Sequence, residues 1–241
     1  MKQVAVYFVI IGIILFLAII LSYKQNPIRL VQSKLKSKPT TQEVVTHLSK
    51  KVENQLQPKL KNAGFNSLPS KILMIAYKEE QLLKVYGHKN NLWTLIKTYP
   101  FTATSGRLGP KLKEGDKQIP EGIYKIEYLN PASLYYLSMK VDYPNAFDRK
   151  KGKQDKRTDL GSDIFIHGKA ATIGCIPIGD AAIEELFIMA EAAIANEIKV
   201  IIAPRDFTQG KSYPQIESVD WAEELYDLIR HELEMVEGVV R

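Results

Sequence analysis

IFIHGKAATIGCIPIGD, residues 164–180, holds the chain's one cysteine, Cys175, eight residues after His167. A lone cysteine has no partner for an internal disulfide, so any role it has is that of a thiol. SDIFIHG, residues 162–168, reads as a short apolar strand ending in His167 and Gly168. Ile173 and Gly174 then read as a tight turn presenting the sulfur, with a helix starting near Gly179. A thiol attacks only as thiolate and needs a base or positive charge beside it. A strand end, seven loop residues and a turn bring the His167 imidazole within reach of Cys175. Backbone N–H groups of Gly174 and Cys175 suit a developing oxyanion, and the positive end of the following helix favours the thiolate. No acid stands out as a third member, so the Gly168 carbonyl is the candidate for orienting the ring. The plainer alternative is an inert core cysteine and a satisfied structural histidine. His47, His88 and His231 fall in a helix, at a strand end and in a charged terminal helix, and suit a base less well.

Working outward, KILMIAYK, QLLKVYGH and NLWTLIKTYPF are short, β-branched or aromatic runs separated by polar turns, which predicts an antiparallel meander. Further strands are expected in IPEGIYKIEYL, LYYLSMKVDYP and IKVIIAP. Val44, Val45, Leu48, Val52 and Leu56 recur at helical spacing, with Pro58 kinking or ending that helix and Gly64 closing it. A second helix is expected over Asp180–Glu197. A third, amphipathic one should turn Trp221, Leu225, Leu228 and Ile229 inward. The charged run 147–160 reads as a solvated, mobile loop. The expected fold is therefore α+β and β-rich, a curved mixed sheet or sandwich with packed helices.

The net charge of +6 has a local origin. Residues 1–40 carry six basic residues and no acid, and the remaining 27 basic and 27 acidic residues cancel. The globular part has no global basic field, which argues against nucleic-acid binding. Val4–Leu21 is an uncharged apolar run of 18 residues, enough to cross a bilayer once. No small-x-small cleavage site follows it, so an uncleaved single-span anchor is expected. The expected organisation is an anchor over 1–22, a basic linker over 23–40, a helical segment over 41–66, a catalytic domain over 67–210 and a C-terminal helix over 211–241. Lys2 precedes the apolar run and five basic residues follow it. Taken literally, that bias leaves the large domain in the cytoplasm. No metal-ligand cluster and no cofactor motif is present in the sequence, and nothing in it indicates an oligomeric state.

The pieces SGRLGPKLKEGDKQIPEGIY (105–124), DYPNAFDR (142–149) and IFIHGKAATIGC (164–175) follow one another with the order and spacing of the L,D-transpeptidase catalytic domain (YkuD) family. The resemblance extends over about a third of the chain and is closer to the YafK-type branch. It implies a membrane-anchored, extracytoplasmic transferase acting on peptidoglycan stem peptides, without a cofactor and open to acylation by carbapenems. A hydrolase of the same fold, or a wall-binding module without catalysis, are the alternatives. By the same resemblance Cys175 is the nucleophile and His167 the base, Gly174 and Cys175 form the oxyanion hole, and Gly168 orients the base. Arg107, Lys111, Gly122 and Thr172 are implied to lie along the substrate cleft. Ile173 stands where most of the family has a second histidine, and the arginine or asparagine usual after the cysteine is absent.

Overall fold

The computed structural model describes residues 38–237. The apolar run Val4–Leu21 and the basic linker up to residue 37 lie outside them. Among the described residues no helix is long and apolar enough to cross a membrane.

Eight strands form one mixed sheet in the order β3-β2-β1-β8-β4-β5-β6-β7. They are β1 (Ile72–Tyr77), β2 (Leu82–Lys89), β3 (Leu92–Pro100), β4 (Gly122–Ser133), β5 (Tyr136–Val141), β6 (Phe165–His167), β7 (Ile176–Pro177) and β8 (Lys199–Ala203). The expected antiparallel meander is β1-β2-β3. β1 and β8 are parallel neighbours at the sheet centre. Both are near-continuous apolar runs because both faces are covered. Ile72, Met74 and Ala76 point into one core, and Leu73, Ile75 and Tyr77 into the other. β8 alternates in the same way, with Val200 and Ile202 on one side and Ile201 and Ala203 on the other. Fully burying one such Leu, Ile or Val contributes about 1.5–3 kcal/mol.

Four α-helices are described: α1 (Thr41–Asn62), α2 (Ala146–Gln154), α3 (Asp180–Ala193) and α4 (Ala222–Glu237). Helices α1 and α3 cover the first face through Leu48, Val52, Leu56, Leu60, Ile183, Leu186 and Phe187. Helix α4 covers the second face with Leu225, Tyr226, Ile229 and Leu233, joined by Trp221 just before it and by Phe207 from a 3₁₀ turn.

Three local expectations are corrected. Helix α1 does not end at Pro58 but runs on to Asn62, just short of Gly64. An interior proline costs about 3 kcal/mol, but Leu56 and Leu60 on either side of it are buried and hold the helix together. Residues 146–154 are helical, capped by Asn145 and Asp148 in a reciprocal capping box. The helix docks through lysine: Lys151 is buried, pairs with Glu224 of α4 and lies 5.3 Å from the Phe147 ring centre and 6.0 Å from that of Trp221. Charged residues fill that face with their aliphatic stems, so a reading by polarity misses it. Leu228, expected inward, is 44% exposed.

The second layer stops short of the sheet's far end. β4 bends across the transition: Gly122–Lys125 pair with β8, and from Ile126 the strand pairs with β5, with a register shift between Ile126 and Tyr128. Beyond that bend, Leu137, Met139, Val141, Ile166 and Ile176 still face the α1/α3 core. The opposite face of β5-β6-β7 has no helix of the second core on it, and there the candidate site lies.

Candidate active site

Register places the site. Ser138 pairs with His167 and Lys140 with Phe165 across β5-β6. Ile166 pairs with Ile176 and His167 with Pro177 across β6-β7. Residues opposite each other share a face, and side chains alternate along a strand. With Met139, Ile166 and Ile176 facing the core, Ser138, Lys140, Phe165 and His167 face away from it. Cys175, one residue before Ile176, falls on that same outer face beside Phe165. The Phe165 N–H points at the Cys175 sulfur (3.4 Å), and the thiol is directed at the Asp163 carbonyl (3.5 Å).

His167 is 1% exposed. Its Nδ1 donates to the Gly168 carbonyl, which assigns the proton to Nδ1 and leaves Nε2 as the basic nitrogen. Nε2 is buried and has no hydrogen-bond partner among the described residues. The Tyr135 ring, from the β4–β5 turn, lies 4.5 Å from the imidazole, centre to centre. Gly168 is held to glycine by close approach: a Cβ there would meet Asp180 Oδ1 at 2.7 Å and the Tyr135 carbonyl at 2.8 Å. The loop that follows is tied down by Lys169, whose N–H and ammonium both donate to Asp180 at the start of α3 (2.8 and 2.6 Å). The Thr102 hydroxyl donates to the Lys169 carbonyl (2.6 Å).

The turn before the sulfur is built on Thr172. Its hydroxyl donates to the Cys175 carbonyl (2.7 Å) and accepts from the Gly174 N–H (3.1 Å). Gly174 has φ +134°, and a Cβ there would come within 3.0 Å of the Gln118 carbonyl, so the 105–121 loop backs the nucleophile turn directly. Lys111 is buried on that loop, with its ammonium on Asp116 (2.6 Å) and the Lys113 carbonyl (2.9 Å). It acts on Cys175 only through its charge. Arg107 is exposed, its N–H donates to Gln118 Oε1 (2.6 Å), and it lines a surface groove with Gln215, Ile216 and Glu217. Gly122 opens β4 opposite Ile202. Helix α3 begins at Asp180, beyond β7, and its first turn is occupied by the Lys169 pair.

Sequence reasoning missed Ser138, Lys140 and Tyr135. Alternation in LSMKV was a usable signal, since an inward Met139 puts Ser138 and Lys140 on one outward face. That this face carries His167 follows only from strand pairing.

Burial pushes the Cys175 thiol above its ordinary value, against the Phe165 N–H and the Lys140 charge, which pull it down. Burial pushes His167 below its ordinary value, and the Gly168 hydrogen bond partly restores it. Both shifts favour a neutral thiol beside a neutral imidazole at rest. Alkylation of Cys175 by iodoacetamide in the folded protein is therefore expected to stay slow from mildly acidic to neutral buffer. It should climb only above the usual thiol range. A fast plateau already present in mildly acidic buffer, read by intact mass, means a preformed thiolate–imidazolium pair instead.

YafK of Escherichia coli, provisionally named an L,D-transpeptidase, is 33% identical over 127 residues, 52% of this chain and 49% of that protein. The chain thus spans about half the length of the curated relatives it matches. Among solved structures, the helical cell shape determining protein Pgp2 of Campylobacter jejuni aligns over 68% of this chain and 56% of its own (22% identity, TM-score 0.47). Bd1075 of Bdellovibrio bacteriovorus aligns over 69% and 56% (23% identity, TM-score 0.41). The family model for the L,D-transpeptidase catalytic domain (YkuD) matches residues 70–202, from just before β1 to the central β8. Cys175, His167 and the loop that backs them all fall inside this span, and the chain belongs to the L,D-transpeptidase catalytic domain family.

Proposed function

We propose that the chain is a cysteine acyltransferase of L,D-transpeptidase type, acting outside the cell membrane on peptidoglycan stem peptides and anchored there by its N-terminal apolar run. The observation that carries this reading is a buried imidazole with its Nδ1 proton held by Gly168 and its Nε2 unpartnered, on the same sheet face as the chain's one thiol. His167 Nε2 takes the Cys175 proton as the sulfur attacks the diaminopimelate carbonyl of a donor tetrapeptide. The oxyanion forms against the Cys175 N–H. The Gly174 N–H joins it once released from Thr172 Oγ1. The intermediate collapses, the carbon–nitrogen bond breaks, and the imidazolium returns the proton to the departing D-alanine amine. The thioester then acylates an acceptor amine, His167 takes that amine's proton, and the thiol is regenerated. Water in the acceptor's place makes the same site a hydrolase.

Muropeptide digestion with product analysis, wild type beside Cys175→Ala, tests this. Turnover is expected for wild type alone, with crosslinked products marking transfer and shortened stems marking hydrolysis. Carbapenem labelling is expected to add one acyl group, also lost in Cys175→Ala. Equal turnover by the two proteins sinks the mechanism.

A further inference from the structure

Lys140 stands on the outward face of β5, across from Phe165 and two residues along from Ser138. It is only 7% exposed. Its ammonium donates to the Val141 carbonyl at 3.1 Å and lies 5.5 Å from the Phe165 ring centre. The other buried lysines all have a carboxylate: Lys78 has Glu121, Lys111 has Asp116 and Lys151 has Glu224. Lys140 has none among the described residues. Asp163 is exposed and its charge reaches Cys175 from the neighbouring loop, but it forms no ion pair with Lys140. A buried ammonium without a counter-charge is unfavourable unless an anion completes it. Two further polar atoms on the same face, Ser138 Oγ and His167 Nε2, are also buried without partners among the described residues. The Lys140 charge is felt at the Cys175 thiol, so an anion held by this ammonium lies close to the reacting sulfur.

We propose that Lys140 anchors a free carboxylate of the acyl donor beside the scissile carbonyl, with the Ser138 hydroxyl as a neighbouring hydrogen-bond donor. The proposal rests on the acyl-transfer reading of Cys175 and adds a selectivity to it. Donors that carry a carboxylate near the scissile bond, as at a peptide end, are accepted over neutral internal segments. A charge-assisted hydrogen bond in a site shielded from water gives this discrimination.

The test compares Cys175 alkylation by iodoacetate and by iodoacetamide in the full chain, because the two reagents differ in their carboxylate. The iodoacetate-to-iodoacetamide rate ratio is expected to fall about tenfold in Lys140→Met and to be largely kept in Lys140→Arg. If both rates change together and the ratio stays constant, Lys140 acts on the thiolate alone and the proposal is overturned. A wild-type measurement decides the matter if Lys140→Met does not fold. D-Alanine should protect Cys175 from iodoacetamide more than D-alaninamide does, and protection no better than the amide's overturns the anchor. Neither arm requires turnover. A chain inactive on muropeptides but with the expected ratio and protection loses its proposed substrate and keeps its carboxylate site.

Discussion

Replacing His167 by asparagine lowers turnover of muropeptide donors by about 100- to 10,000-fold, the usual worth of a general base. The geometry gives the loss a recognisable pH signature. Wild type carries its proton acceptor on Nε2, and burial holds His167 below the ordinary imidazole value of 6.5. As pH falls, activity is lost only when the imidazole is finally protonated, so the acid limb of wild type lies below that value. The apparent pKa of the limb belongs to the Cys175–His167 pair. In His167→Asn that limb disappears, because no group remains to be switched off by a proton. The rate then depends on direct ionisation of Cys175, which burial pushes above the ordinary thiol range, and rises into alkaline buffer. The gap between wild type and variant should therefore narrow as pH increases. A variant whose loss is constant at every pH assigns His167 a packing role under Tyr135 rather than a proton-transfer role.

Much of this site can be read from the sequence because its parts are local. His167, Gly168, Gly174 and Cys175 fall within nine residues, and a strand followed by a tight turn leaves them little freedom. The central strands are equally legible, since ILMIAY and KVIIA carry apolar residues on both faces. What is not legible depends on partners distant in sequence. Lys140 gains its significance from pairing with Phe165 and from the carboxylate it lacks, and neither fact resides in LSMKV. Tyr135 meets His167 only because β4 bends and returns through a turn. Helix α2 is opaque for a different reason: its docking face is made of Phe147, Asp148, Lys151 and Gly152, so hydrophobic periodicity is weak where packing is real. Pro58 shows the converse, a strong local breaker outweighed by the leucines packed around it.

Glu121→Gln is expected to destabilise the fold by about 3–5 kcal/mol, a fall in Tm of about 10 °C for a chain of this size. Glu121 and Lys78 are paired at 2.8 Å with side chains 0% and 4% exposed. Every polar position on both is used. The Lys78 ammonium also donates to the carbonyls of Gly109 (2.9 Å) and Ile119 (2.8 Å). The carboxylate also accepts from the Gly109 N–H (2.7 Å) and the Tyr226 hydroxyl (2.9 Å). The amide of glutamine keeps the shape but removes the charge opposite a buried ammonium, whose pKa burial already depresses and Glu121 holds up. Adding Lys78→Met to Glu121→Gln should cost less than the two single changes together, because no uncompensated charge remains, and a thermal-melt cycle reads that coupling. Additive losses count against a desolvated pair. The same variant reports on the site. The pair joins the end of β1, the start of β4 and helix α4 to the 105–121 loop, and Gln118 of that loop backs Gly174. At a temperature where Glu121→Gln is still folded, Cys175 should remain alkylatable while muropeptide turnover falls, because the sulfur survives when the turn presenting it loosens. Undiminished turnover there separates the buried pair from the nucleophile turn and confines its role to stability.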